Sequence, residues 1–352
     1  NEYAEPGYYS VLLEDYSIKA EITCSERVGF HKYTFPKTDS ANIILDLDHG
    51  IYNYDGKTLW ANVRVENDTL ITGYKITNGW ARTRYIYFAM TFSKAFIEYG
   101  SEDHNESKYT GFWRKFDQKK NFPEPGGKAL KMYFRFETEV NESIQVKVAL
   151  SSVSTEGALL NLKKEIPHND FELVRKEAKA KWSSELDIIN IDADQNTKEI
   201  FYTALYHSFI HPNIYCDVNG EYRGIDNNIH HTAGTNYTTF SLWDTYRALH
   251  PLLTITHPDR VSEMIKSMIH HYDQSVHKLL PVWSHQGNEN WCMIGYHSVP
   301  VIVDAYMKGI RDYNINKAFE ACIRSSDNQY YEGINEYIKH GYVPEDKVKN
   351  SA

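Results

Sequence analysis

Residues 281–297 concentrate side chains that could perform acid–base chemistry beside aromatic rings. Glu289 is the carboxylate of this segment, and Trp283 and Trp291 stand close to it in sequence. An aromatic environment disfavours an ionised carboxyl group and raises its pKa, as a general acid at neutral pH requires. Glu289 is therefore the candidate acid, and its neighbour Asn288 is a candidate for substrate binding. The alternative is a surface loop whose aromatic rings only pack.

A second segment, residues 237–247, places Trp243, Asp244 and Arg247 within five positions. A carboxylate can accept hydrogen bonds from paired sugar hydroxyls, an indole offers a flat apolar face, and a guanidinium offers a fork of donors. These three residues are therefore predicted to bind a sugar. The alternative is a buried Asp–Arg ion pair with the tryptophan in the core.

Hydrolysis of a glycoside normally needs two carboxylates, so Glu289 requires a partner. The candidates within this chain are Asp226, Asp244 and Asp304. Asp304 falls in a predicted helix, which favours a helix-face role for it. The partner of Glu289 is left open among them.

The histidines do not follow the spacing of a metal site. His230–His231 and His270–His271 are adjacent pairs, whereas two ligands on one helix face stand three or four residues apart. His207 and His211 have the right spacing, but Pro212 indicates that the helix ends there. No metal ligand can be assigned from the residues alone.

The elements that must position these side chains fall into two classes. Residues 1–166 read as short strands separated by turns, which predicts an antiparallel β-sandwich. Alternation of apolar and polar residues marks Tyr16–Ile22, the second half of Leu59–Val65, and Ser143–Leu150 as strands. Residue types that favour strands mark Arg84–Met90 and Lys131–Phe136.

Residues 167–190 are predicted to form a linker helix. It should begin near Phe171, with Asn169 or Asp170 as its N-terminal cap. From residue 191 to residue 352 the pattern becomes helical, with long connections that carry the candidate site. The pattern predicts an all-α domain, and helices that alternate with long loops suit a helical toroid. The clearest helical patterns cover Thr197–Ser208, Arg260–His277, Ser298–Ile310 and Asn316–Ile323.

Composition narrows the function classes. The net charge of −9 over 352 residues argues against a nucleic-acid partner, which favours a basic face. The longest apolar runs are too short for a membrane-spanning helix. Four widely spaced cysteines indicate reduced core thiols rather than a disulfide framework.

The chain resembles the family 92 glycoside hydrolases, which are calcium-dependent, exo-acting α-mannosidases, mostly bacterial. The resemblance covers nearly the whole sequence. It is carried by the motifs Pro6–Val11, Arg27–Pro36, Ser154–Ala158, Phe201–His207, Tyr222–Gly224, Phe240–Arg247, Pro281–Trp283, Gly287–Glu289 and Met293–His297.

The resemblance implies a β-sandwich packed on an (α/α)6 barrel, and hydrolysis of terminal α-linked mannose with inversion. It implies that Glu289 is the general acid and that Trp243, Asp244 and Arg247 hold the mannose. Calcium is the implied cofactor, mannose-containing glycans are the implied partners, and the implied location is periplasmic or extracellular.

Family members usually continue well beyond the Gly-Asn-Glu segment, and that part supplies the general base. The chain is therefore expected to be a portion of a longer enzyme, with the base and the calcium ligands beyond Ala352. Two other readings stay open. One is a mannose-binding module without hydrolytic activity, and the other is a phosphorylase with a sandwich and a helical toroid.

Overall fold

A computed structural model describes residues 1–52, 54–103, 120–330 and 333–348 of the chain. The chain divides into two compact units. The first contains Asn1–Gly79 and Thr83–Asn190, and the second contains Ile191–Ala352 together with the short segment Trp80–Arg82. The candidate site residues all belong to the second unit.

The first unit contains two antiparallel sheets. The larger sheet has the strand order β1-β2-β3-β4-β12-β8-β7-β6-β10, and the smaller has the order β5-β11-β9. The strands are β1 (Glu2–Glu5), β2 (Tyr8–Leu13), β3 (Ile18–Cys24), β4 (Val28–Phe35), β5 (Thr38–Asp46), β6 (Thr58–Asn67), β7 (Leu70–Thr77), β8 (Arg84–Phe92), β9 (Glu98–Asp103), β10 (Gly126–Gly127), β11 (Leu130–Thr138) and β12 (Glu142–Ser151). The predicted sandwich is confirmed.

Period-two alternation explains the core of this unit. On β11, Leu130, Met132, Phe134 and Phe136 are buried, while the residues between them are more exposed. These side chains pack with Ile144 and the other inward residues of the larger sheet in one apolar cluster. Successive strand residues point to opposite faces, so this alternation fixes which face of each strand meets the core.

The first unit also contains two helices, and the first of them lies in a region that was predicted to contain only strands. Residues 1–166 are not all strand, because α1 (Thr155–Glu165) follows β12, with the Ser154 hydroxyl accepting the Gly157 N–H as its cap. The predicted linker helix forms as α2 (Phe171–Leu186), with Asp170 capping its start.

Helix α2 packs on the sheet of the first unit. Phe171 and Val174 are each 2% exposed and join the apolar cluster that contains Phe30 of β4. The ring of Phe171 meets that of Phe30 edge-on, with 5.4 Å between centroids. The apolar side of this charged helix therefore packs on the sheet of the first unit. The sequence had predicted only a linker between the two domains.

The second unit is mainly helical, with short two- and three-residue strands in its connections. The helices are α3 (Gln195–Ser208), α4 (Leu242–Thr245), α5 (Leu249–Thr256), α6 (Pro258–Gln274), α7 (Ser298–Met307), α8 (Ile315–Ser326) and α9 (Ile334–His340). The strands are β13 (Asn213–Ile214), β14 (Glu221–Arg223), β15 (Ile229–His231), β16 (Tyr237–Thr238), β17 (Phe240–Ser241) and β18 (Trp283–Ser284). The four predicted helices of this unit form as α3, α6, α7 and α8.

Helix α6 is central to the second unit. Its apolar side chains Val261, Ile265 and Met268 are at most 1% exposed and pack with residues of α5, α7 and α8. Within the described ranges, no helix is long and apolar enough to cross a membrane.

Candidate active site

Two of the motif segments form a short β-ladder. Phe240 pairs with Ser284 and Ser241 with Trp283, so β17 and β18 lie side by side in antiparallel orientation. The N–H of Gln286 also donates to the Thr238 hydroxyl at 2.7 Å. This pairing brings the Trp243–Asp244 segment and the Glu289 segment together, as a shared site requires.

Gly287 brings in the Tyr222–Gly224 motif. A Cβ atom at Gly287 would lie 3.2 Å from the carbonyl oxygen of Arg223 and 3.4 Å from that of Gly224. Its φ of +72° is also in the region that favours glycine. The backbone of the Gly-Asn-Glu segment can therefore approach this motif closely only because position 287 carries no side chain.

Glu289 is buried at the centre of its loop. Its Oε1 accepts hydrogen bonds from the N–H groups of Trp283 at 2.8 Å and Trp291 at 2.9 Å, and its Oε2 accepts from Val282 at 3.0 Å. Burial raises the pKa of Glu289, and this outweighs the lowering by the backbone donors. The side chain therefore anchors the loop and is also disposed to hold a proton at higher pH than an ordinary carboxyl group.

Asn288 occupies a tight turn. Its N–H donates to the His285 carbonyl at 3.1 Å, and its side-chain amide donates to the Gln286 carbonyl at 3.0 Å. These contacts give Asn288 a role in shaping the loop, whether or not it also binds a ligand.

The predicted sugar-binding residues lie on and just after α4. Asp244 and Arg247 are exposed and Trp243 is half-buried. The Asp244 carboxylate accepts a hydrogen bond from the Ser241 hydroxyl. The guanidinium of Arg247 lies 4.7 Å from the Trp243 ring centroid and 5.1 Å from that of Tyr246. The alternative of a buried Asp–Arg pair is therefore wrong, because both groups are exposed and Arg247 stacks on aromatic rings.

A small cleft of about 20 Å³ lies between α6 and residues of the Tyr222–Gly224 motif, β16, β17 and β18. Four of its lining residues on α6 follow helical spacing i, i+3, i+4 and i+7 and so share one face. These are Ser267, His270, His271 and Gln274. The opposite wall includes Tyr222, Gly224, Ser284 and Gly287, the last two from the segment that carries Glu289.

Tyr222 connects the polar groups near this cleft. It stacks on His230 and His270 with centroid separations of 5.8 and 6.0 Å. Its hydroxyl accepts a hydrogen bond from Gln274 at 2.8 Å, and burial raises its pKa to about 12. Tyr222 therefore stays neutral and holds the two imidazole rings and Gln274 in place.

The backbone is strained near the β17–β18 ladder and in the loop that carries Glu289. Thr239, between β16 and β17, has a φ of +66°, which is unfavourable for a β-branched residue. Its hydroxyl is buried without a partner among the described residues. Positive φ values also recur in the Glu289 loop, at Gln286, Gly287, Trp291, Met293 and Gly295. Strain of this kind clusters at functional sites.

The candidate second carboxylates have separate environments. Asp304 forms an ion pair with Lys308 at 2.8 Å on α7, which confirms its helix-face role. Asp226 lies 3.0 Å from the Nε2 of His230. Burial acts to raise the pKa of Asp226, but the hydrogen bonds from His230 and Asn228 outweigh it and lower that pKa.

Calcium favours several carboxylate and carbonyl oxygens around one ion. In the described ranges, no group of three or more Asp, Glu, His or Cys side chains is arranged to hold a metal. The described residues therefore do not by themselves form a carboxylate-rich calcium site.

Sequence reasoning treated His270 and His271 only as possible metal ligands and missed their place in the cleft. The available signal was the polar stripe of Ser267, His270, His271 and Gln274 on one face of an otherwise apolar helix. Such a stripe on a buried helix indicates a polar cavity.

Two family models together match most of the chain. The glycosyl hydrolase family 92 N-terminal domain matches residues 1–151, and the family 92 catalytic domain matches residues 157–352. The chain belongs to glycosyl hydrolase family 92. The predicted family is therefore confirmed. A comparison with curated proteins gives no match.

Solved family 92 structures share the fold of this chain. A family GH92 α-mannosidase from Bacteroides thetaiotaomicron is 41% identical with a TM-score of 0.91, and the match covers 99% of this chain and 46% of that enzyme. The same enzyme in complex with mannoimidazole matches equally well, with 45% of its chain covered. An inverting family GH92 mannosidase from B. thetaiotaomicron VPI-5482 is 27% identical with a TM-score of 0.86, over 99% of this chain and 46% of that one. The chain thus spans less than half of these enzymes.

The close approach at Gly287 predicts a local effect on activity in this family 92 protein. For the α-mannosidase activity proposed below, Gly287→Ala is expected to lower kcat/KM by about tenfold to a hundredfold, because a small displacement of reacting groups carries a large kinetic cost. The positive φ should also lower the free energy of unfolding by about 1–2 kcal/mol. Initial rates and urea unfolding of the full-length protein measure the two effects.

The matched control is Gly309→Ala. Gly309 also has a positive φ, +88°, but a Cβ atom there would meet nothing within 4 Å. It should show a similar loss of stability with unchanged kcat/KM. Equal kinetic losses in both variants would mean that the packing of Gly287 against Arg223 and Gly224 does not matter for activity.

Proposed function

We propose that the protein is an α-mannosidase that hydrolyses terminal α-linked mannose from glycans. The observation that carries this proposal is the convergence of the Trp243–Asp244 and Glu289 segments through the β17–β18 ladder, in a family 92 chain. The 41% identity to a family 92 α-mannosidase supports mannose as the sugar.

In the proposed reaction, the exposed Asp244 accepts hydrogen bonds from mannose hydroxyls, and the Trp243 ring faces the apolar side of the sugar. Arg247, stacked on that ring, offers its donors at the same place. Asn288 completes the binding residues from the neighbouring turn. These interactions fix the sugar so that the bond to be broken lies next to the Glu289 segment.

Glu289 is proposed as the source of the proton for the leaving glycosidic oxygen. Its raised pKa supports this role, because a general acid must be protonated at the working pH. An inverting reaction also needs a base that activates water, at about 6.5–9.5 Å from the acid. The match to an enzyme described as an inverting mannosidase supports inversion. We assign no residue of this chain as the base.

Proton NMR during hydrolysis of α-mannobiose by the full-length protein tests the proposal. The first product seen should be β-mannose, which then equilibrates with the α form. Early α-mannose would contradict inversion. Binding without hydrolysis would identify a mannose-binding module, and phosphate-dependent formation of mannose 1-phosphate would identify a phosphorylase.

Calcium is proposed as a cofactor of the full-length enzyme because of its family membership. Its role would be to hold sugar hydroxyls, for which a hard cation with oxygen ligands is suited. Dialysis against EDTA is expected to abolish hydrolysis of α-mannobiose, and added Ca²⁺ is expected to restore it. Full activity after chelation, with the removal of metal verified by elemental analysis, would exclude calcium.

We also propose a periplasmic or extracellular location in a bacterium, which suits an enzyme that acts on mannose-containing glycans. Fractionation of the source cells, followed by detection of the protein, tests the location.

A further inference from the structure

The motif Met293–His297 has no part in the reaction proposed above, but the structure brings its histidine to the sugar-binding segment. The imidazole ring of His297 packs on the ring of Tyr246, with 4.4 Å between centroids and 31° between the ring planes. Tyr246 in turn contacts the guanidinium of Arg247, which lies 5.1 Å from its ring centroid. His297 is therefore linked through one aromatic ring to a residue that is proposed to bind mannose.

Arg247 depends on aromatic rings for its orientation. Its guanidinium lies between 4.7 and 5.1 Å from the ring centroids of Trp243 and Tyr246, and it forms no hydrogen bond or ion pair with any other described residue. The residue is exposed. A long exposed side chain can adopt many rotamers, so contacts with these two rings determine where its donors point.

We propose that His297 is a positioning residue that holds Tyr246, and through it the guanidinium of Arg247, in the orientation that binds the terminal mannose. The proposal rests on the α-mannosidase function proposed above. It adds a residue that acts on the substrate through its neighbours.

The turn before α7 fixes the ring of His297. Gly295 has a φ of +78°, and a Cβ atom there would lie 2.5 Å from Cε1 and 3.0 Å from Nδ1 of His297. The imidazole therefore folds back over position 295, where the absence of a side chain leaves room for it. The ring also donates a hydrogen bond to the Ile294 carbonyl. These contacts hold the imidazole against Tyr246.

The charge of the imidazole affects its neighbour Arg247. Burial lowers the pKa of His297, the positive charge of Arg247 lowers it further, and the hydrogen bond to the Ile294 carbonyl offsets only part of this. The ring is therefore neutral at pH 7 and adds no positive charge beside the guanidinium. Protonation at lower pH would make the ring repel Arg247, the charged side chain that acts on it from the sugar-binding segment.

The Michaelis constant separates positioning from a general structural role. His297→Ala in the full-length protein is expected to raise KM for α-mannobiose about three- to tenfold and to change kcat less than about twofold. The reason is that Arg247 binds the sugar equally in the ground state and the transition state. His297→Phe keeps a ring against Tyr246 and should restore KM to within about twofold of wild type at neutral pH. Partial unfolding, by contrast, removes active molecules and lowers the apparent kcat without changing KM.

His277→Ala is the matched control. His277 also stacks on a tyrosine, Tyr330, with 3.9 Å between centroids and 29° between the ring planes, but it belongs to neither sugar-binding segment. The variant should keep the wild-type KM. An unchanged KM in His297→Ala, with or without a fall in kcat, would overturn the positioning role. Failure of the wild-type protein to hydrolyse α-mannobiose would instead overturn the α-mannosidase function, and calorimetric titration with methyl α-mannoside would then compare the same variants by Kd.

The pH dependence of KM tests the proposal without the alanine variant. Because the pKa of His297 is lowered, the wild-type KM should be constant near neutral pH and should rise once the pH falls through that pKa. His297→Phe cannot be protonated at this position and should show a smaller rise. Parallel KM profiles for the two proteins, or a wild-type KM that stays constant down to about pH 4.5, would overturn the proposal.

Discussion

Glu289→Gln is expected to lower kcat for α-mannobiose by about 10²–10⁴-fold in the full-length protein. Glutamine keeps the shape of the side chain but cannot supply a proton. Hydrolysis of 2,4-dinitrophenyl α-mannoside should be much less affected, because its leaving group needs no acid. Comparison of the two rates in wild-type and variant protein measures the effect.

The pH profile gives an independent check. Burial raises the pKa of Glu289, and an acid acts only while it is protonated. The wild-type rate on α-mannobiose should therefore fall as the pH rises through this raised pKa. The Gln variant should lack this alkaline limb.

Two controls separate acid catalysis from anchoring of the loop. Glu199→Gln, at an exposed position on α3, should behave as wild type. Glu289→Gln retains one side-chain oxygen that accepts the backbone N–H groups, but its NH₂ group cannot accept the others. Urea unfolding measures the cost of this loss. If both substrates are hydrolysed at wild-type rates, Glu289 is an anchor of the loop and the acid lies elsewhere.

Asp244→Ala is expected to lower kcat/KM for α-mannosides by about 10–200-fold. Hydrogen bonds to a charged group contribute about 1.5–3 kcal/mol, and the alanine variant loses those between the carboxylate and the sugar hydroxyls. Both kinds of leaving group should be affected equally, since Asp244 binds the sugar and transfers no proton. Stability should change little, because the side chain is exposed.

Asp304→Ala is the matched control for Asp244. Its carboxylate lies on α7 and is half-buried, and it pairs with Lys308 at the end of that helix rather than lying in the sugar-binding segment. The variant should retain wild-type kcat/KM. A comparable loss in both variants would show that the Asp244 effect is not specific to the substrate.

Local sequence patterns predicted the helices and strands whose formation depends on residues close together in sequence. Strand β11 and helix α6 each bury one face, and their apolar periodicity is visible in the sequence. Helix α1 was missed because two of its buried positions, Gly157 and Asn161, are not apolar residues. Its buried Asn161 instead donates its side-chain amide to the Leu150 carbonyl, a contact that no periodicity reports.

In the candidate site, too, some features could be predicted from the sequence and others could not. Trp243 and Glu289 were proposed as site residues from residue type, because their segments are rich in polar and aromatic groups. The pairing of Phe240 with Ser284 was not predictable, because it joins positions far apart in sequence. The backbone N–H donors to Glu289 depend on the path of the loop, including the positive φ of Trp291, which residue type does not specify.

The β17–β18 ladder has a consequence for altering substrate preference. Two residue pairs fix the alignment of the strands that precede Trp243 and Glu289. Adding or removing one residue in either strand would turn the following side chains to the opposite face of the ladder. When loops are exchanged between relatives, the length of both strands must therefore be kept. Insertions should be placed after the ladder, where they do not change the strand pairing.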